Sequence, residues 1–137
     1  MADPLFLLAP PRSYTSLVNA MLGQHPQAFG LPELCLFNVE KLVDLWRGSK
    51  GEISENGALV RHGLLRAVSE IYCGEQRVTT VNMALAWLML REEWDTGRVF
   101  QELVAQLDPL VAVEKSPSYT MSVKRMQAIH RAFPDAR

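Results

Sequence analysis

Residues 9–16 read Ala9-Pro10-Pro11-Arg12-Ser13-Tyr14-Thr15-Ser16, and their side chains suit an anion. Arg12 offers a planar guanidinium fork, and Ser13, Thr15 and Ser16 offer hydroxyl donors. A helix starting here adds the unpaired N–H groups of its first turn and the positive end of its dipole. The plain alternative is an ordinary loop in which Ser13 or Thr15 caps the helix. A second polar turn, Lys115-Ser116-Pro117-Ser118, sets an ammonium beside hydroxyls, or is simply a strand-end lysine in water. Glu33 follows Phe29-Gly30-Leu31-Pro32, an apolar setting that raises a carboxyl pKa toward the range of a general base. Otherwise it is a surface glutamate ahead of a helix, where the dipole favours it. Cys35, Cys73 and the three histidines have no metal-ligand spacing, and both cysteines read as small buried hydrophobes in a reduced, cytoplasmic chain. His25, before Pro26, reads as a turn residue at a helix end; His62 and His130 fall in helical segments without assigned chemistry.

Two strands must carry these turns. Leu5 to Ala9 is continuously apolar and stops at Pro10-Pro11, the pattern of a strand buried on both faces of a parallel sheet. Leu110 to Glu114 is a second such run and delivers Lys115. Helices are expected over Ser16–Leu22, Cys35–Arg47, Ala58–Tyr72, Val81–Trp94 after a Thr79-Thr80 cap, and Gly97–Leu107, with a last one through Val123, Met126, Ile129 and Phe133. Gly48 to Gly57 reads as a mobile surface loop. Trp46, Trp87 and Trp94 sit at core spacing, with Trp94 also a candidate for a pocket wall; Lys124, Arg125 and Arg131 read as a solvated face. The plan is α/β, a parallel sheet flanked by helices with a helical insertion between the first and later strands, as one domain over residues 1–137. In such sheets sites form where strands end and helices begin. Both polar turns lie at such points, and that coincidence is the main functional signal.

The 137 residues are 48% hydrophobic and 21% charged, which excludes a disordered chain. Net charge is −1, so no polyanion-binding surface and no nucleic-acid partner are indicated. Lys115 to Arg137 nevertheless holds five basic residues and one acid. No apolar run is long enough for a membrane span. The GxxxxGK[ST] consensus is missing, so a magnesium-dependent kinase with a degenerate loop is disfavoured.

The strand followed by Pro11-Arg12-Ser13-Tyr14-Thr15-Ser16 resembles the 5′-phosphosulfate loop of sulfotransferases that use 3′-phosphoadenylyl sulfate (PAPS). Leu22-Gly23-Gln24-His25-Pro26 with Glu33 is similar to the L-x-x-H-P…E stretch of tyrosylprotein-type and bacterial members. Val113-Glu114-Lys115-Ser116-Pro117 resembles their strand-end K-[STD]-P, and Phe133-Pro134-Asp135-Ala136-Arg137 their F-P-[DN]-A-[KR]. Residues 25–34 further resemble sulfotransferase domains of bacterial polyketide assembly lines. Four short strings in the right order make the match strong, over residues 5–37 and 110–137.

The resemblance implies a P-loop-like fold and metal-free, in-line transfer of a sulfuryl group from PAPS to the hydroxyl of a small molecule or carrier-bound chain. It implies Glu33 as base, Lys115 as the cation at the leaving oxygen, and Arg12, Ser13, Tyr14, Thr15 and Ser16 as the donor-binding loop. Tyr14 departs from the family, which most often has glycine there; a positive φ would cost tyrosine about 1 kcal/mol. Either the loop is less curled or the ring serves the pocket. The family's 3′-phosphate residues fall beyond Arg137, so the chain reads as its N-terminal part, with an open sheet edge. The alternatives are a non-catalytic nucleotide- or phosphate-binding module and an inactive fragment.

Overall fold

The computed structural model describes residues 2–47 and 55–137. Its centre is a three-stranded, all-parallel sheet in the order β1-β3-β2, with β1 at Leu5–Phe6, β2 at Ala28–Gly30 and β3 at Val111–Glu114. The central strand carries the buried run Ala112-Val113-Glu114, as parallel strands covered on both faces require. Helix α1 (Thr15–Leu22) follows β1. Helices α2 (Glu55–Cys73), α3 (Val78–Met89) and α4 (Thr96–Leu107) form the insertion before β3, and α5 (Val123–Ala132) closes the chain. Phe6, Phe37, Phe100, Phe133 and Tyr119 pack edge-on and tilted in one aromatic cluster that joins β1 to α4 and α5. The expected α/β plan and its helical insertion are present.

Local readings differ from it in instructive places. Strand β1 is shorter than Leu5–Ala9: Leu7 N–H still donates to the Glu114 carbonyl at 2.9 Å, but Leu8 is already half exposed as the chain turns away. Strand β2, three residues ending in a glycine, is too short to show a period. The helix expected over Cys35–Arg47 is two 3₁₀ turns, Leu36–Asn38 and Leu42–Leu45. Here Leu42 N–H donates to the Trp94 carbonyl (3.0 Å) and Val43 N–H to the Glu92 carbonyl (2.8 Å), so residues 92–94 take the bonds a helix would use. Leu36, Leu42, Val43, Leu45 and Trp46 are still buried; the apolar spacing reported burial correctly and conformation wrongly.

Of the expected loop Gly48–Gly57, residues 48–54 lie outside the described residues, and 55–57 already belong to α2. Helix α3 begins before Thr79-Thr80, because Thr80 caps from inside the first turn by accepting from Arg77 N–H at 2.8 Å. Ala84, Trp87 and Leu88 of this helix are buried, while Met89 and Leu90 at its end are exposed. Asp95 caps α4 through its side chain. Both cysteines are free, but Cys73 is exposed and Cys35 only half-buried, so neither is a plain core residue. Arg125 is not simply solvated; it donates to the Ser118 carbonyl at 2.7 Å. Among the described residues, no helix is long and apolar enough to cross a membrane.

Candidate anion and proton-transfer site

The turn from β1 into α1 is tightly curled. Arg12 has φ 68° and Tyr14 φ 56°, both left-handed. Tyr14 occupies the N-cap position of α1, and its carbonyl accepts from Leu17 and Val18 N–H at 3.0 and 3.1 Å. No side chain caps this helix, so Ser13 and Thr15 do not serve the capping role open to them in the sequence. Tyr14 is 81% exposed and lines the cavity wall. The loop is therefore curled as a glycine would allow, at a strain of about 1 kcal/mol.

Lys115 leaves the end of β3 with its side chain only 8% exposed. Its ammonium donates to Ser16 Oγ at 2.8 Å and to Glu33 Oε1 in a close ion pair. The residues are 99 and 82 positions apart in sequence. One cavity of about 800 Å³ is lined by Arg12, Ser13, Tyr14, Thr15, Ser16, Glu33 and Lys115 together. A second, of about 560 Å³, meets it at Ser16, Glu33, Cys35 and Lys115 and extends past Pro32 to Gly63 and Arg66. The ion pair thus stands where two cavities join.

Glu33 is not enclosed by apolar groups as its neighbours in sequence suggested. Its side chain is 48% exposed, and its partner is the ammonium. The segment that carries it is held from three sides. Asn19 of α1 donates to the Leu31 carbonyl at 2.9 Å, and Leu31 N–H donates to the Val113 carbonyl at 2.8 Å. On the third side α2 comes so close at Gly63 that a Cβ there would collide with the Glu33 carbonyl.

Sequence reasoning missed the group beneath the pair. Glu114 is fully buried, and its Oε1 accepts from Leu34 N–H (3.1 Å), Ser116 Oγ (2.6 Å) and Tyr119 Oη (3.3 Å). Burial pushes its carboxyl up to about 7, against the pull of those donors; the nearby Glu33 charge adds to the rise. Burial likewise raises the Cys35 thiol, which disfavours the reactive thiolate. The readable signal was a carboxylate closing an otherwise apolar strand, with a tyrosine five positions on. His25 keeps a structural place, its Nδ1 accepting from Gln27 N–H at 3.2 Å. Trp94 lies under the Arg98 guanidinium, 3.7 Å from its ring centre, and lines neither cavity. Among the described residues, no cluster of His, Cys, Asp and Glu could hold a metal ion.

A family model described as the sulfotransferase family matches residues 4–137. Two solved structures share the fold over 100% of this chain. One is a sulfotransferase domain from the curacin biosynthetic pathway, with a TM-score of 0.80 and 22% identity. The other is a sulfotransferase domain from the Synechococcus PCC 7002 olefin synthase, with a TM-score of 0.77 and 24% identity. The chain spans 45% and 48% of those two chains, just under half of each. No curated protein matches it.

Proposed function

The chain belongs to the sulfotransferase family, and from that premise we propose that it is the donor-binding and catalytic N-terminal part of a PAPS-dependent enzyme. In this reading residues 1–137 are one partial domain of a bacterial-type, cytoplasmic protein. Its acceptor is a hydroxyl on a small molecule or on a carrier-bound acyl chain. The observation that carries the proposal is the Lys115 ammonium, which reaches Ser16 of the anion loop on one side and Glu33 on the other.

The donor residues fit the phosphosulfate end of PAPS. Arg12 supplies a bidentate fork, Ser13 and Ser16 supply hydroxyls, and the uncapped first turn of α1 supplies amide hydrogens. PAPS, once bound, supplies a sulfuryl group on a good leaving phosphate. Sulfuryl transfer resembles loose phosphoryl transfer, so positioning and charge stabilisation carry most of the rate. Lys115, drawn toward a dianion beside Ser16, relaxes its hold on Glu33. The Glu33 carboxylate then takes the acceptor proton, with the acceptor approaching through the cavity past Pro32. Fixed cations and amides do the work that a metal does in kinases.

The test is a sulfate-transfer assay in parallel with calorimetric titration by 3′,5′-bisphosphoadenosine. We expect binding and metal-independent transfer in the natural protein, and loss of turnover in both Arg12→Ala and Lys115→Ala. Full turnover in both variants would remove the assignment. Tight binding without any transfer would instead favour the non-catalytic nucleotide-binding module.

A further inference from the structure

We infer that Glu114 is the positioning residue that fixes Glu33 relative to Lys115, a role that rests on reading those two as base and cation. The two side chains stand on different pieces of chain. Lys115 is held by the sheet, immediately after β3. Glu33 stands in residues 31–35, which have no regular secondary structure. Glu114 joins the two pieces. Its Oε1 accepts from Leu34 N–H, one residue beyond Glu33, and from Ser116 Oγ, one residue beyond Lys115. Ser116 Oγ in turn accepts from Cys35 N–H at 3.0 Å. Two consecutive amides of the Glu33 segment are therefore tied to the end of β3, one directly and one through a hydroxyl.

Two further features mark the arrangement as built for position. Cys35 is held at φ 55°, a left-handed conformation that costs a non-glycine residue free energy and persists only when its surroundings impose it. Glu114 Oε2 is enclosed and has no hydrogen-bond partner among the described residues. A buried acid with one unsatisfied oxygen is an expensive way to fill space that leucine could fill. What leucine cannot do is accept from Leu34 and Ser116 at once. The side-chain hydrogen bonds of Glu114 go to Leu34, Ser116 and Tyr119 and not to Arg12 or Ser13, so its effect should fall on the chemistry more than on donor binding.

The experiment compares Glu114→Gln and Glu114→Leu in the natural full-length protein. Glutamine retains an acceptor at the Oε1 position; leucine keeps the volume without one. We expect kcat within about threefold of wild type for Glu114→Gln and about 100-fold lower for Glu114→Leu, with the donor KM changed less than about threefold in both. Amide hydrogen exchange at Leu34 and Cys35 should accelerate in Glu114→Leu and stay slow in Glu114→Gln. Wild-type kcat and slow exchange in Glu114→Leu would overturn the inference, as would equal kcat losses in the two variants. If Glu114→Leu does not fold, Ser116→Ala decides: a kcat loss of about tenfold with faster Cys35 exchange supports the tie, and wild-type behaviour refutes it. Glu33→Gln is measured alongside. Retained turnover there means that the base assignment has failed, whereas its loss combined with wild-type Glu114→Leu means that only the positioning role has failed.

Discussion

At the scale of single residues, Glu114 binds folding to pH. Its folded pKa of about 7 lies above the ordinary carboxyl value of 4.5, so the native state holds this proton more tightly than the unfolded chain. Its contribution is fully present below about pH 4.5, declines as pH rises, and is lost above about 7, on the order of 3 kcal/mol in all. Urea unfolding from pH 5 to 8 should therefore show wild type losing stability relative to Glu114→Gln as pH rises; parallel curves would contradict the burial argument. Tyr14 gives a second expectation. At φ 56° with an exposed ring, Tyr14→Gly should stabilise the fold or leave it unchanged, by up to about 1 kcal/mol, and thermal melting reads the sign. Arg12, Glu33 and Lys115 were legible because each stands in a short string with a recognisable neighbour. Glu114 stands in the same string as Lys115, but its role was not legible, since its partner Leu34 lies 80 positions away and is contributed by tertiary packing.

At the scale of elements, the site depends on how closely α2 approaches the Glu33 segment. Gly63 has room for a hydrogen and nothing more, because the Glu33 carbonyl occupies the space of a Cβ and backbone cannot step aside cheaply. Gly63→Ala should push residues 33–35 off β3, with kcat falling at least tenfold and a loss of stability of about 1–3 kcal/mol. Unchanged kinetics and melting would show that α2 yields instead. None of this was readable in advance, for a glycine inside a helical pattern signals only a weak position until its neighbour is known. The 35–47 segment teaches the converse. Its apolar spacing is helical, yet Glu92 and Trp94 claim its N–H groups, and a pairing made some fifty residues away overrides a local preference.

At the scale of the whole molecule, the parallel sheet and the helical insertion followed from the two apolar runs and the helical periods between them. The strand order did not, because β2 carries too few residues to announce itself. At the outer edge of β1, Phe6 N–H donates to the Arg137 carbonyl (2.7 Å) and Arg137 N–H to the Pro4 carbonyl (3.2 Å). Arg137 therefore covers part of that edge, bonded to Pro4 and Phe6 in the manner of a parallel neighbour. The arrangement that matters is the meeting of β1's turn, the end of β3 and the segment after β2 around one ammonium. The most direct test is transfer of labelled sulfate from PAPS to a hydroxyl acceptor in excess EDTA, by wild type and by Lys115→Ala with Arg12 intact. The account predicts chelator-resistant transfer by wild type and at least a 1,000-fold loss in the variant, about 4 kcal/mol of transition-state stabilisation. Undiminished transfer by Lys115→Ala, or transfer that stops when the chelator is added, would contradict it.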